Sequence, residues 1–204
     1  MSISAGRRSF DSTTGIPRLV GRAWTELGER LYNAVVTIVP LRSVRTGWLR
    51  ACGARIADGA FVGAESRVVG VRGLTIGENS RSGRRCLLDA RGSLTIGRDT
   101  ALGHGVHLIT AQHTVNTADF RAVTAPISIG DHVWLASRTT VVMGVAVADG
   151  AVVNAASLVR DDVGPRAVVA GIPARTVGAR PPEAVHYRLT SPRIRHLTRT
   201  KDHQ

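Results

Sequence analysis

The sequence predicts a mainly β fold: a single-stranded left-handed parallel β-helix with an N-terminal helical cap and a protruding loop. Three observations carry this expectation. Aliphatic residues recur every six positions, small residues follow them directly, and one 15-residue interruption breaks an otherwise regular register. The register runs Ile56, Val62, Val68, then Ile76, Ser82, Leu88, then Ile96, Leu102, Leu108, and resumes as Ile129, Leu135, Val141, Val147, Val153 and Val159. Among these fifteen only Ser82 is not Ile, Leu or Val. A helix repeats apolar residues every three or four positions, and a half-buried strand every two. Period six fits a triangular coil that points one aliphatic side chain inward from each face. Gly or Ala follows at Ala57, Gly63, Gly77, Gly83, Gly97, Gly103, Gly130, Ala136 and Ala148, where a larger side chain would crowd the next coil.

The elements follow in order. Residues 1–17 read as a flexible N-terminus. Residues 18–55 read as a helical cap, in which Trp24, Leu27, Leu31, Val35 and Ile38 recur at three- and four-residue steps until Pro40 ends the run. This stripe is expected to cover the first coil. A membrane-surface helix is the alternative, because Arg18, Arg22 and Arg30 lie close by. The β-helix spans 56–178, with coils starting at 56, 76, 96, 129 and 147. Their excesses over 18 residues are 2, 2, 15 and 0, which predicts two short bulges and a loop over 114–128. Residues 179–204, with Pro181, Pro182, Pro192 and many charges, read as a basic tail, extended or disordered.

A chain of 204 residues can bury one real core. Two cysteines, Cys52 and Cys86, make no disulfide framework and fit a reducing cytoplasm. No apolar run approaches the roughly 20 residues of a membrane span. Met1 to Gly15 lacks the apolar centre of a secretion signal. A cytoplasmic protein is expected. The net charge of +12 sits on the flanks: residues 1–55 carry nine Arg against three acids, 56–163 ten Arg against ten acids, and 164–204 seven Arg and Lys201 against two acids. Basic termini favour anionic neighbours, and a peripheral contact with a membrane surface is open to them. No aromatic platform accompanies them, so no nucleic-acid partner is expected.

Three pieces of the stretch 96–180 are more specific: Thr110-Ala111-Gln112-His113 at the root of the interruption, Ile129-Gly130-Asp131-His132-Val133-Trp134-Leu135-Ala136-Ser137, and Val168-Val169-Ala170-Gly171-Ile172-Pro173-Ala174-Arg175. Together they resemble the hexapeptide-repeat O-acetyltransferases, in particular the colanic-acid-type, maltose and galactoside acetyltransferases. The likeness covers roughly residues 25–180. It implies a homotrimer of parallel prisms with an active site in each cleft between subunits. It also implies acetyl-CoA as co-substrate, no metal, and a saccharide or glycan acceptor.

O-acetyl transfer needs a base for the acceptor hydroxyl and donors for the developing oxyanion. Histidine, with an unperturbed pKa of about 6.5, suits the first task. The resemblance assigns it to His113, with direct transfer and no acetyl-enzyme. It likewise assigns the oxyanion to the Ser137 N–H. Trp134 becomes a cleft wall, although simple packing would also explain it. The backbone of Ala136 and Ala155 is expected to hold the pantetheine arm, and Arg175, with Arg160 and Arg180, the phosphates of coenzyme A. On the acceptor side stand Asp89, Arg85 and Arg91. Asn116, Asp119 and Phe120 of the loop are candidates to orient His113 or touch the acceptor. Two departures matter: Thr114 replaces the Asp or Pro that often follows the His, so a carboxylate partner must come from elsewhere, and Met143 replaces a Pro before Gly144.

Two other readings remain. A γ-type carbonic-anhydrase-like zinc enzyme would use the run His104, His107, His113 and His132, yet His107 and His113 are six apart rather than five. A non-catalytic β-helix scaffold would keep the fold without activity; stabilisation by coenzyme A separates it from an enzyme.

Overall fold

A computed structural model describes the backbone of residues 16–189 and the side chains from Ala23 on. The N-terminus expected to be flexible lies outside the described residues except for Ile16 and Pro17, and so does the basic tail from 190 on. The parallel β-helix that period six predicts is what the chain forms. Strands ending the first face stack as Ile56, Ile76, Ile96, Ile129 and Val147, each paired in parallel with the next. Leu102, Leu135, Val153 and Val169 stack on the second face, and Val68, Leu88, Leu108, Val141 and Val159 on the third. All fifteen register positions are buried, Ser82 among them. Its hydroxyl accepts the Gly63 N–H at 2.9 Å, which satisfies a polar group inside the prism.

The small residue after each aliphatic is required by close approach. A Cβ on Gly77 would lie 2.6 Å from the Gly97 carbonyl carbon, and one on Gly103 would lie 2.5 Å from Ser137 N. The left-handed conformation falls two positions later, at Gly59, Asn79, Asp99, His132 and Gly150 on the first corner and Glu65, Arg85, Gly105, Arg138 and Ala156 on the second. A second inward register, four residues after the aliphatic, carries Ser66, Ser80, Thr100, Thr139 and Ser157, all buried. Their hydroxyls close the corners: Ser80 Oγ donates to Gly97 O at 2.6 Å and Thr100 Oγ1 to Gly130 O at 2.7 Å.

The excess residues all leave from the third corner. The first bulge contains the turn Val71–Gly73, the second Ala90 to Ser93. The long excursion is a β-hairpin, with Ala111–His113 antiparallel to Ala122–Thr124, so its strands begin before the loop bounds of 114–128.

Two helices cap the first coil, α1 (Ile16–Ala34) and α2 (Arg42–Ala51). The apolar stripe expected to cover that coil faces outward instead: Trp24, Leu27, Leu31, Val35 and Ile38 are 40–62% exposed. The physical reason is the surface being covered. The open edge of the first coil presents backbone N–H and C=O groups, which need polar partners. Glu29 Oε2 accepts the N–H of Gly70 at 2.9 Å and of Val71 at 3.0 Å, and Asn33 both donates to Val68 O and accepts its N–H. From α2, Arg45 donates to Val62 O and Arg50 to Ile56 O and Ala57 O. Gly28, Tyr32 and Val36 supply the buried contacts between these polar groups.

The other end is closed by the strand Ala174–Ala179, antiparallel to Ala167–Gly171. The chain then turns back along the first corner. Arg180 donates to His132 O and Gly150 O, Tyr187 to His132 O, and the Leu189 N–H to Asp99. Of the region read as a basic tail, 179–189 is thus docked on the prism.

Gly77→Ala places a methyl group against the backbone of the next coil. It is expected to cost about 1–3 kcal/mol by overpacking, read as a fall in the denaturation midpoint.

Candidate functional site

His113 ends the first hairpin strand, exposed, beyond the third corner. Its Nδ1 lies 2.8 Å from Phe120 O across the hairpin, and its ring stacks on that of Phe120 with centroids 4.5 Å apart and planes 9° from parallel. A carbonyl only accepts, so Nδ1 carries the proton and donates it. In the neutral ring Nε2 then holds the lone pair, and it has no protein partner among the described residues. The partner for the imidazole is a main-chain oxygen, where a carboxylate was sought. Asp119 does not reach His113; it accepts from Thr117 Oγ1 at 2.6 Å within the turn. Asn116 is exposed beside it.

Asp89 holds the root of the hairpin. Its side chain is 2% exposed and accepts from Arg91 Nε at 2.9 Å, Arg91 Nη2 at 3.0 Å, Arg91 N at 3.2 Å and Thr110 N at 3.2 Å. Burial alone would raise this carboxyl, but the Arg91 side chain and the two N–H groups outweigh it and hold the group below its usual range. Thr110 in turn receives the Ala125 N–H at 3.0 Å, which ties the returning end of the hairpin to the same point.

Ser137 and Ala155 stand on the second corner, in the coils that start at Ile129 and Val147. A capping sequence runs along this corner. The Arg84 N–H donates to His104 Nδ1 at 2.9 Å, and the His104 N–H to Ser137 Oγ at 3.3 Å. The residues stacked next are Ala155 and Gly171, whose side chains offer no acceptor. Among the described residues the N–H groups of Ser137 and Ala155 therefore have no partner. They are two open donors in adjacent coils. Ala136 differs from the expectation: its N–H donates to Val153 O and its carbonyl accepts from Thr139, so its backbone is engaged within the prism.

Trp134 lies on the second face, 48% exposed, between Ala101 and Val152. Arg175 pairs with Asp161 at 3.1 Å at the end of the same corner, and Arg160 is exposed nearby in sequence. Arg180 is not available for a phosphate. Its guanidinium is spent on His132 O, Gly150 O and Ala184 O, and it lies over the Tyr187 ring, because it staples the returning chain to the prism. The four histidines of the zinc reading fall on different parts of the prism: His104 on the second corner, His107 on the third face, His113 on the hairpin and His132 on the first corner. Among the described residues no three His, Cys, Asp or Glu side chains could share a metal ion.

One chain thus brings Ser137, Ala155 and Trp134 to one side and leaves His113 at a different corner. Sequence reasoning named Phe120 among the residues that could orient His113 but not the carbonyl through which it does so, and it missed the capping sequence, since both act through main-chain atoms.

No protein-family model matches the chain. The Escherichia coli (strain K12) protein WcaF, whose name assigns it an acetyltransferase role in colanic acid biosynthesis, is 30% identical over 132 residues, 65% of this chain and 72% of that protein. The galactoside O-acetyltransferase of the same strain is 32% identical over 88 residues, 42% of this chain and 43% of its own length. Against some curated relatives, then, the chain spans less than half their length. The hexapeptide-repeat acetyltransferase VCA0836 of Vibrio cholerae O1 biovar eltor, solved in complex with acetyl-CoA, superposes with a TM-score of 0.69 at 21% identity, over 84% of this chain and 92% of that one. At that identity the likeness speaks for the fold.

Asp89→Asn removes a charge from four hydrogen bonds and is expected to cost about 1–3 kcal/mol. The folded carboxyl titrates below its unfolded value of about 3.9, so its contribution is present above that pH and is lost as pH falls through the folded value. Denaturation of wild type and variant should differ at pH 7 and converge in acid.

Proposed function

The chain belongs to the hexapeptide-repeat acetyltransferases, and from that premise we propose that it moves an acetyl group from acetyl-CoA directly to a hydroxyl of a saccharide or glycan intermediate. The observation that carries the reading is the imidazole of His113, fixed through Nδ1 by the Phe120 carbonyl with Nε2 free. Nε2 takes the proton as the acceptor oxygen attacks the thioester carbonyl. The carbonyl oxygen becomes an oxyanion, for which the open N–H of Ser137 is the donor. Collapse breaks the C–S bond, and the imidazolium returns the proton to the departing thiolate. The Ala155 N–H, one coil further on, is placed to bind the pantetheine amide, and Arg160 and Arg175 lie towards the phosphates.

His113 and Ser137 occupy different corners of one prism, so the reaction requires the hairpin of one protomer against the second corner of the next. We therefore read the chain as a homotrimer. The exposed apolar groups support it: Val115 and Phe120 on the hairpin, and Trp134, Ile172 and Val177 on the receiving side, are all 48–78% exposed. The buried free thiols of Cys52 and Cys86 and the coenzyme A donor suit a cytoplasmic location.

The outward face of the cap suits a bilayer surface rich in anionic lipid. Among the described residues, seven of the twelve large exposed hydrophobic side chains lie between Trp24 and Val44, in a segment where nine Arg meet three acids over residues 1–55. No helix among the described residues is long and apolar enough to cross a membrane, so the contact would be peripheral.

Release of free thiol from acetyl-CoA, measured with a panel of sugars and nucleotide-sugars, tests the reaction. His113→Ala should lower turnover about 10²–10⁴-fold. Ala155→Ser supplies an acceptor for the Ser137 N–H, as Ser137 does for His104, and should lower it about 10²–10³-fold. Full turnover in His113→Ala would remove that residue from the mechanism. In sedimentation with vesicles, phosphatidylglycerol-containing membranes should retain the protein and pure phosphatidylcholine should not; Leu31→Asp should abolish retention, and equal binding of both lipids would dismiss the electrostatic part.

A further inference from the structure

The second corner holds a basic recess that the transfer step leaves unused. A cavity of about 370 Å³ is lined by Arg84, Arg85, His104, Gly105 and Arg138. Its residues come from the coils that start at Ile76, Ile96 and Ile129, and Arg138 directly follows Ser137. Only one carboxylate reaches these side chains among the described residues. Glu65 pairs with Arg85 at 2.7 Å and with Arg84, and those two partners pull it below the usual carboxylate range. Arg138 pairs with no carboxylate among the described residues. Three guanidinium groups thus face one carboxylate. His104 adds a donor: its Nδ1 accepts the Arg84 N–H, so the neutral ring carries its proton on Nε2.

We propose that this recess binds an anionic group of the acceptor, so that the substrates are acidic sugars or sugar phosphates. The inference rests on Ser137 being the oxyanion donor, which puts the reacting hydroxyl at this corner. Coils stack about 4.8 Å apart, and the recess runs from Ser137's own coil, where Arg138 stands, to two coils before it, so it lies within about 10 Å of that hydroxyl along the stack, the span of a hexose and one substituent. Carboxylate and phosphate oxygens both match the planar fork of arginine. The phosphates of coenzyme A are the other source of such chemistry. They lie on the far side of Ser137, because the open Ala155 N–H draws the pantetheine towards Arg160 and Arg175, away from the recess.

The test uses three matched acceptors, glucose, glucuronate and glucose 1-phosphate, with thiol release for kcat/KM and thermal shift for binding. Wild type should prefer at least one charged acceptor over glucose tenfold or more, the two charged arms separating carboxylate from phosphate. Arg138→Gln breaks no side-chain pair among the described residues and should bring the preference near unity. Arg138→Lys should restore part of it. Coenzyme A should stabilise wild type and Arg138→Gln equally. Equal use of glucose and both anions, an equal fall for all three in Arg138→Gln, or loss of coenzyme A stabilisation in that variant would overturn the proposal. Should no acceptor release thiol while a charged sugar still stabilises wild type and not Arg138→Gln, the recess stands and the transfer reaction falls. Neither release nor stabilisation would sink both.

Discussion

The strands of this prism satisfy their main chain by bonding to the coils on either side, and the two end coils have only one neighbour. That shortage governs most of what surrounds the repeat. At the N-terminal end it is met by side chains: Glu29 and Asn33 of α1 and Arg45 and Arg50 of α2 bond the exposed N–H and C=O groups. At the other end it is met by the antiparallel strand Ala174–Ala179. The polar demand of the first edge explains why α1 turns its amide and carboxylate inward and its tryptophan and leucines out, the reverse of the usual helix on a hydrophobic core.

The same logic, applied in the opposite sense, builds the candidate site. Along the second corner a side chain from each coil caps the N–H of the one before, through His104 and then Ser137. With Ala155 the series stops for want of an acceptor. An N–H left open inside a rigid ladder is already oriented and needs no rearrangement to meet developing negative charge. His113 is made ready in a comparable way, by a main-chain carbonyl on a hairpin whose root Asp89 clamps. Both halves of the proposed chemistry thus depend on backbone geometry set by the fold, and the fold delivers them to different corners.

How far the sequence displayed this depends on whether chemistry and burial coincide. The period-six register was legible because each face buries one aliphatic, and even Ser82 kept its place. The register four residues on was not, since Ser66, Cys86, Thr100, Val133 and Ala151 share burial but no polarity. His113, Trp134 and Ser137 could be picked out by motif. Phe120 stood among the loop candidates to orient His113, but the atom that does so did not, because a main-chain carbonyl leaves no mark in the sequence. Arg180 looked like a phosphate ligand while its neighbours in the chain were read as a tail; once 180–189 returns along the prism, the carbonyls of His132 and Gly150 claim it. The stripe on α1 was visible, and only its direction was misjudged.

A stack of this kind is nearly one-dimensional, so its last coil can unzip at the expense of a single interface. The returning segment changes that connectivity. Arg180 and Tyr187 grip the coils of Gly150 and His132, and Leu189 reaches Asp99 a coil further in. Peeling away the terminal coil therefore requires releasing bonds made two coils deeper. Such a clasp couples the end that would receive coenzyme A to the middle of the molecule and makes their unfolding a shared event, where a bare ladder would melt rung by rung.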